Sequence, residues 1–225
     1  VYGLPTAILA GDSLFAYAFE MIVESDVSDK VKAELVRHTA YTVRRIAEGQ
    51  QMDINFEEVE TVDPELYLEM IRLKTSILFG SAAYGGALIG DKTIEEANEL
   101  RQMAIWVGLG FQIWDDYLDA TAPAEVLGKP SGSDIRQGKR TLLVIEALNR
   151  TKPDQRKELI KILDNNKNTD DDVQRAVEIM SECGALENCR KQALDYLHGA
   201  KETIEKYPKC EARELLEELL EYMVT

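Results

Sequence analysis

The stretch Met103–Asp119, MAIWVGLGFQIWDDYLD, decides how the rest of the chain is read. Up to Trp114 it carries no charge and is rich in small and apolar residues, as a helix enclosed by other helices should be. Its last turn and a half then holds three carboxylates, Asp115, Asp116 and Asp119. Acids at the C-terminal end of a helix oppose its dipole, so a purely structural role is disfavoured there.

Working outward, KTSILFGSAAYGGALIG (Lys74–Gly90) has the same nearly uncharged character and is expected to be buried on all sides. Helical signals recur along most of the sequence, whereas alternating β-branched runs bounded by turns do not. Asp63-Pro64-Glu65 supplies an N-cap, a proline at the first helical position and an acid near the positive end of the dipole, and similar starts recur near Pro153 and Asp170. Breaks fall at EGQQMDINFEEV, IGDKT, TAPAEVLGKPSGSDIRQGK, NRTKPD, NNKNT and KYPKC. The expectation is an all-α chain of about eight or nine helices forming one domain over residues 1–225. The C-terminal ARELLEELLEYMVT reads as an ordinary amphipathic helix.

Composition narrows the partners. With 225 residues, 45% hydrophobic, the chain can bury a sizeable core, and its formal charge of −15 repels nucleic acid and anionic membrane surfaces alike. An anionic substrate would need a metal as intermediary. Cys183, Cys189 and Cys210 lack CxxC spacing and read as free thiols of a reducing cytoplasm, and His38 and His198 read as helix-surface residues too few for a histidine-rich zinc site. The opening VYGLPTAILAGDSLFAYAFEMIVES is interrupted by Asp12 and Glu20 and reads as a buried helix of a soluble protein, without stable membrane insertion. Because it starts at Val1, inside apparent structure, sequence upstream of it is expected.

At about 100° per residue, Asp115, Asp116 and Asp119 project into one sector of their helix. Crowded carboxylates raise one another's pKa unless a cation neutralises them, and an oxygen-only set suits Mg²⁺, which takes a few carboxylates plus waters and substrate phosphates. Lys129 in GKPSGSD and Lys139 in GKRT sit one loop later, where ammonium groups can reach a polyanion's remaining oxygens. The run TDDDVQRAV (Thr169–Val177) looks similar but opens a helix, so Asp170, Asp171 and Asp172 read as cap and first-turn acids.

FQIWDDYLD followed by LGKPSGSDIRQGKRT closely resembles the second aspartate-rich motif and following loop of the trans-type isoprenyl diphosphate synthases. AILAGDSLFAYAFE, GQQMD (Gly49–Asp53) and KTSILF agree in order, so the resemblance spans essentially the whole chain. It implies an all-α helical bundle of the isoprenoid synthase type around a central cavity, a homodimer, and Mg²⁺-dependent condensation of an allylic diphosphate with isopentenyl diphosphate, with a geranylgeranyl or farnesyl product. By the same resemblance Asp115, Asp116 and Asp119 would hold metal, and Lys74, Lys129 and Lys139 would contact diphosphate. Thr75 and Gln112 would turn neutral oxygens toward the developing carbocation. Asp134 and Arg136 would order the loop, and Asp12 and Asp53 would be structural. The family's first aspartate-rich motif and its diphosphate-binding arginines are expected before Val1, so the 225 residues alone are expected to be inactive. Two other readings remain open: a class I terpene cyclase, whose second metal motif has a different pattern, and a non-catalytic helical subunit that regulates a synthase.

Overall fold

The protein is described from a computed structural model covering residues 2–57, 59–123, 128, 131–165 and 167–224. Its helices are α1 (Leu4–Glu24), α2 (Asp29–Phe56), α3 (Pro64–Ile71), α4 (Ile77–Ile89), α5 (Ile94–Thr121), α6 (Ser133–Arg136), α7 (Leu142–Arg150), α8 (Pro153–Leu163), α9 (Asp170–Glu182), α10 (Ala185–Ile204) and α11 (Glu211–Tyr222). A π-helical turn, Arg72–Ser76, joins α3 to α4 without a break. No strand occurs among the described residues, as expected of an all-α chain. Counting α3 to α4 as one run leaves ten helices there, the addition to the eight or nine expected being the single turn α6 inside the predicted loop.

Local chemistry sets the ends. Asp63 accepts from the Glu65 amide at 2.8 Å with Pro64 at the first helical position, and Thr93 and Glu96 close a reciprocal capping box at the start of α5. Helix α5 is the axis of the fold, packed against α4 on one side and α10 on the other. Both sides approach closely because α5 carries glycines there, one against the π turn that opens α4 and one against α10. A Cβ on Gly108 would lie 2.6 Å from Ser76 Cα, and one on Gly110 would lie 2.8 Å from Leu197 Cγ. Ile113, Leu142, Leu159, Ile179 and Met180 fill the core between α5, α7, α8 and α9.

Three expectations give way. Helix α1 was expected to be buried but has no buried residue: Ile8, Leu9, Leu14, Tyr17 and Met21 are all more than half exposed. By length and composition alone it is long and apolar enough to cross a membrane, as the core helices of soluble proteins can also be. Helix α4 is buried on two sides only, leaving Leu78, Ala82, Gly86 and Ile89 as an open stripe. His38 is buried rather than on the surface, its ring stacked on Tyr84 at 4.2 Å, because α2 is clamped against α4 along that face. His198 is exposed, as expected, beside Glu202.

Candidate active site

The C-terminal end of α5, the C-terminal end of α2, the α3 to α4 run and the α6 segment enclose a cavity of about 400 Å³. Phe56, Met70 and Ile71 form its apolar wall. Five carboxylates line it, Asp53, Glu57, Asp115, Asp116 and Asp134, against three cations, Lys74, Lys139 and Arg140. Polyanion binding therefore requires added positive charge.

The π turn explains how the second element reaches this cavity. Gly49 of α2 sits so close that a Cβ there would lie 2.5 Å from the Lys74 amide nitrogen, and the Ser76 hydroxyl donates to the Ile71 carbonyl across the widened turn. The turn carries Lys74 and Thr75 side by side. Lys74 Nζ donates to Asp53 Oδ2, so the residue read as structural from sequence is an acidic wall of the cavity. Thr75 Oγ1 donates to Gln112 Oε1 at 3.0 Å, and Gln112 Nε2 donates to Asp116 Oδ1 at 3.1 Å.

The three acids closing α5, predicted to share one sector, occupy three environments. Asp115 is exposed and lines the cavity. Asp116 is buried and accepts from Tyr67 Oη at 2.6 Å as well as from Gln112. Asp119 is 2% exposed and not part of the lining. It accepts from Ser133 Oγ at 2.6 Å and the Asp134 amide at 3.0 Å, while its carbonyl accepts from the Gly132 amide. The difference follows from what packs beside each turn: α6 covers Asp119 and α3 covers Asp116. Gly132, at the start of α6, adopts φ 69° and lets that turn press against α9, where a Cβ would lie 2.4 Å from Val173.

Burial pushes the Asp116 carboxyl up to about 7, reinforced by the charges of Asp134 and Asp115 and opposed by the Tyr67 and Gln112 hydrogen bonds. Burial and the neighbouring Asp116 raise the Tyr67 phenol. Burial works against the Lys139 ammonium, but the Asp134 carboxylate, 2.6 Å away, with Asp116 and Asp53 behind it, holds its pKa above the ordinary lysine value. Asp134 thus faces the cavity as well as ordering the loop, and Arg136 braces α6 by donating to Asp170 at 2.6 Å. Lys129 lies outside the described residues. Asp12 is on the exposed face of α1. Sequence reasoning passed over Tyr67, although it stands seven residues before Lys74, a spacing that puts two helical positions on one face.

No three acidic, cysteine or histidine side chains among the described residues converge on one metal-sized point. The donor set that does face the cavity is hard oxygen, and the neutralisation threatened at Asp116 is what a divalent cation reverses. The residues therefore fit a hard cation that completes its shell with waters and substrate oxygens.

The polyprenyl synthetase family profile matches residues 1–180. This chain belongs to the polyprenyl synthetase family. It is 41% identical over 224 residues to a short chain isoprenyl diphosphate synthase of Methanothermobacter thermautotrophicus, covering 100% of this chain and 68% of that protein. A geranylgeranyl diphosphate synthase of Methanosarcina mazei is 36% identical, with 100% and 67% covered. Among solved structures, geranylgeranyl pyrophosphate synthetase of Pyrococcus horikoshii superposes with a TM-score of 0.93 at 36% identity, covering 99% of this chain and 67% of that one. A polyprenyl synthase of Caulobacter crescentus, solved with calcium and isoprenyl diphosphate, superposes at 0.84 and 34% identity over 98% and 66%. The chain thus spans about two thirds of the length of these relatives. It is a transferase of isoprenoid biosynthesis, of the family that elongates prenyl chains.

Proposed function

We propose that the cavity condenses an allylic diphosphate with isopentenyl diphosphate, using Mg²⁺ to carry the leaving diphosphate. The observation that supports this most is the charge inventory: five carboxylates and three cations around a small cavity cannot hold a diphosphate unless divalent metal stands between them. The calcium and isoprenyl diphosphate in the Caulobacter crescentus relative agree with a hard cation bridging acids to phosphate. When bound, the metal supplies Lewis acidity and charge neutralisation at the leaving group.

In this reading the Asp115–Asp119 motif forms the metal side of the site, Asp115 presenting its carboxylate to the cavity and Asp119 holding the loop that carries the lysines. Lys74 and Lys139, each now on a carboxylate, exchange Asp53 and Asp134 for diphosphate oxygens, and Lys129 is assigned the same task. Phe56, Met70 and Ile71 offer an apolar surface to the hydrocarbon. The Thr75 and Gln112 oxygens stabilise positive charge at the allylic carbon without capturing it covalently. The product is a short-chain diphosphate of the geranylgeranyl or farnesyl class, and residues 1–225 act as one domain.

A homodimer is supported by the uncovered apolar side of α1, where Ile8, Leu14 and Met21 are each more than half exposed. Three cysteines without a disulfide suit a reducing cytoplasm.

The test is thermal. Mg²⁺ together with a bisphosphonate raises the melting temperature, whereas either alone does much less, and Asp115→Ala abolishes most of the joint shift. An equal shift in both proteins places the metal elsewhere.

A further inference from the structure

Asp116 has a different setting from Asp115, although the two are adjacent in sequence. It is 6% exposed, and each of its oxygens already has a donor: Tyr67 Oη on Oδ2 at 2.6 Å and Gln112 Nε2 on Oδ1 at 3.1 Å. Tyr67 is itself 5% exposed, fixed in the core 49 residues upstream, so its hydroxyl cannot swing away into solvent. A carboxylate held at one oxygen by a buried phenol and at the other by a half-buried amide of the cavity wall is poorly placed to turn toward a cation. It is well placed to orient the donors.

The orientation matters because a primary amide has two unlike ends. With Gln112 Nε2 committed to the Asp116 anion, Oε1 must occupy the opposite end, where it accepts from Thr75 Oγ1 at 3.0 Å. Thr75 has then spent its only hydroxyl proton, so its oxygen offers lone pairs alone to the space it faces. The chain of donors therefore runs toward Asp116 from both sides, and both neutral oxygens are left as acceptors, Gln112 in the cavity lining and Thr75 hydrogen-bonded to it.

We infer that Asp116 is a positioning residue and not a metal ligand: with Tyr67 as its buried clamp, it fixes the dipoles of Gln112 and Thr75 with their oxygens toward developing positive charge. This rests on the reading of the site given above, in which Asp115 meets the metal and Gln112 and Thr75 face the carbocation. Replacing Asp116 by asparagine leaves one acceptor for two donors. If Tyr67 keeps that acceptor, the Gln112 amide must invert and present its NH₂ group to Thr75 and the cavity, reversing the dipole.

The test uses the natural full-length enzyme, with Mn²⁺ binding read by electron paramagnetic resonance in the presence of methylenebisphosphonate, beside steady-state kinetics. In Asp116→Asn the Mn²⁺ affinity stays within about threefold of wild type, kcat falls by roughly thirtyfold or more, and KM for the allylic diphosphate stays within about threefold. In Asp115→Asn the Mn²⁺ affinity falls by on the order of tenfold or more. Should Asp116→Asn fold poorly, Tyr67→Phe removes one clamp without touching the carboxylate, and its kcat falls by about five- to tenfold at unchanged Mn²⁺ affinity. An Mn²⁺ loss in Asp116→Asn equal to that in Asp115→Asn makes Asp116 a ligand and overturns this inference while leaving the metal site standing. Unchanged kcat in both Asp116→Asn and Tyr67→Phe also overturns it. Unchanged Mn²⁺ affinity in Asp115→Asn overturns the site assignment itself, and the positioning role with it.

Discussion

Two runs of aspartate, Asp115–Asp119 and Asp170–Asp172, look alike on paper and sit in opposite physical circumstances. The first closes α5, where the dipole is unfavourable, and two of its acids are buried. The second opens α9, where the dipole is favourable: Asp172, half-buried, accepts from the Thr169 amide and hydroxyl in a capping box, and Asp170 and Asp171 are exposed. Nature places acids at a helix start for stability, whereas acids buried at a helix end cost stability and call for a ligand. The two runs also touch the same small element from opposite sides. Asp119 takes the N-terminal side of α6, and Asp170 takes Arg136 at its end.

The largest effect separating them is kinetic. In the full-length enzyme, Lys139→Ala should lower turnover by on the order of one hundredfold, roughly 3 kcal/mol of lost stabilisation of the departing diphosphate, while Asp171→Ala leaves kcat and KM at wild-type values. Steady-state assays with radiolabelled isopentenyl diphosphate read both. Comparable damage from the two variants would erase the distinction between the runs.

Stability against pH should separate them by sign. The Asp116 carboxyl, pushed up to about 7 from 3.8, lets the folded state hold a proton that the unfolded chain has released. Its contribution therefore falls as pH rises from about 4 to about 7 and then levels, by at most about 1.4 kcal/mol per pH unit. Asp172 behaves in the opposite way. Hydrogen bonds from Thr169 lower its pKa, so its contribution is present above the ordinary aspartate value and fades as pH falls through the lowered one. Urea titrations across pH 4 to 8 should show the decline in wild type, a shallower one in Asp116→Asn, and a flatter curve again with Mg²⁺ and a bisphosphonate. A decline of equal slope in Asp116→Asn would locate the proton elsewhere.

How much of this was legible in the sequence depends on which interactions are local. The burial of Ile113 and Trp114 ahead of the acids of α5 follows from an uncharged run giving way to charge, and the cap at Thr169 from residues three apart. The clamp of Tyr67 on Asp116 and the pairing of Lys74 with Asp53 join residues 49 and 21 positions apart, and no periodicity encodes such meetings. The π turn depends on Gly49 pressing against Lys74 from another helix, which a propensity reading of RLKTS alone does not contain. Burial of His38 likewise requires knowing that α4 brings Tyr84 to it. Apolar length misleads in the opposite direction at α1, a largely apolar helix none of whose residues is buried, because burial depends on what packs against a helix and not on its own composition.

The smallest effects belong to the second run, and they test whether it is only a cap. Thr169 supplies the N-cap oxygen to the Asp172 amide at 3.2 Å, so Thr169→Ala should cost about 1 kcal/mol of stability in urea unfolding, with unchanged turnover. Asp171 takes part in neither half of that box and is exposed, so Asp171→Ala should stay within about 0.5 kcal/mol. Asp170 is the discriminating member. Its ion pair with Arg136 is almost wholly solvated on the aspartate side, at 96% exposure, and such pairs contribute about 0 to 1 kcal/mol and weaken with salt. Asp170→Ala should therefore shift stability slightly at low ionic strength and not at all near 1 M salt, with kcat unchanged at both. A kcat loss that persists at high salt would mean that Arg136 transmits the position of α6 to Lys139 and Asp134, and the second run would then be part of the site rather than a cap beside it.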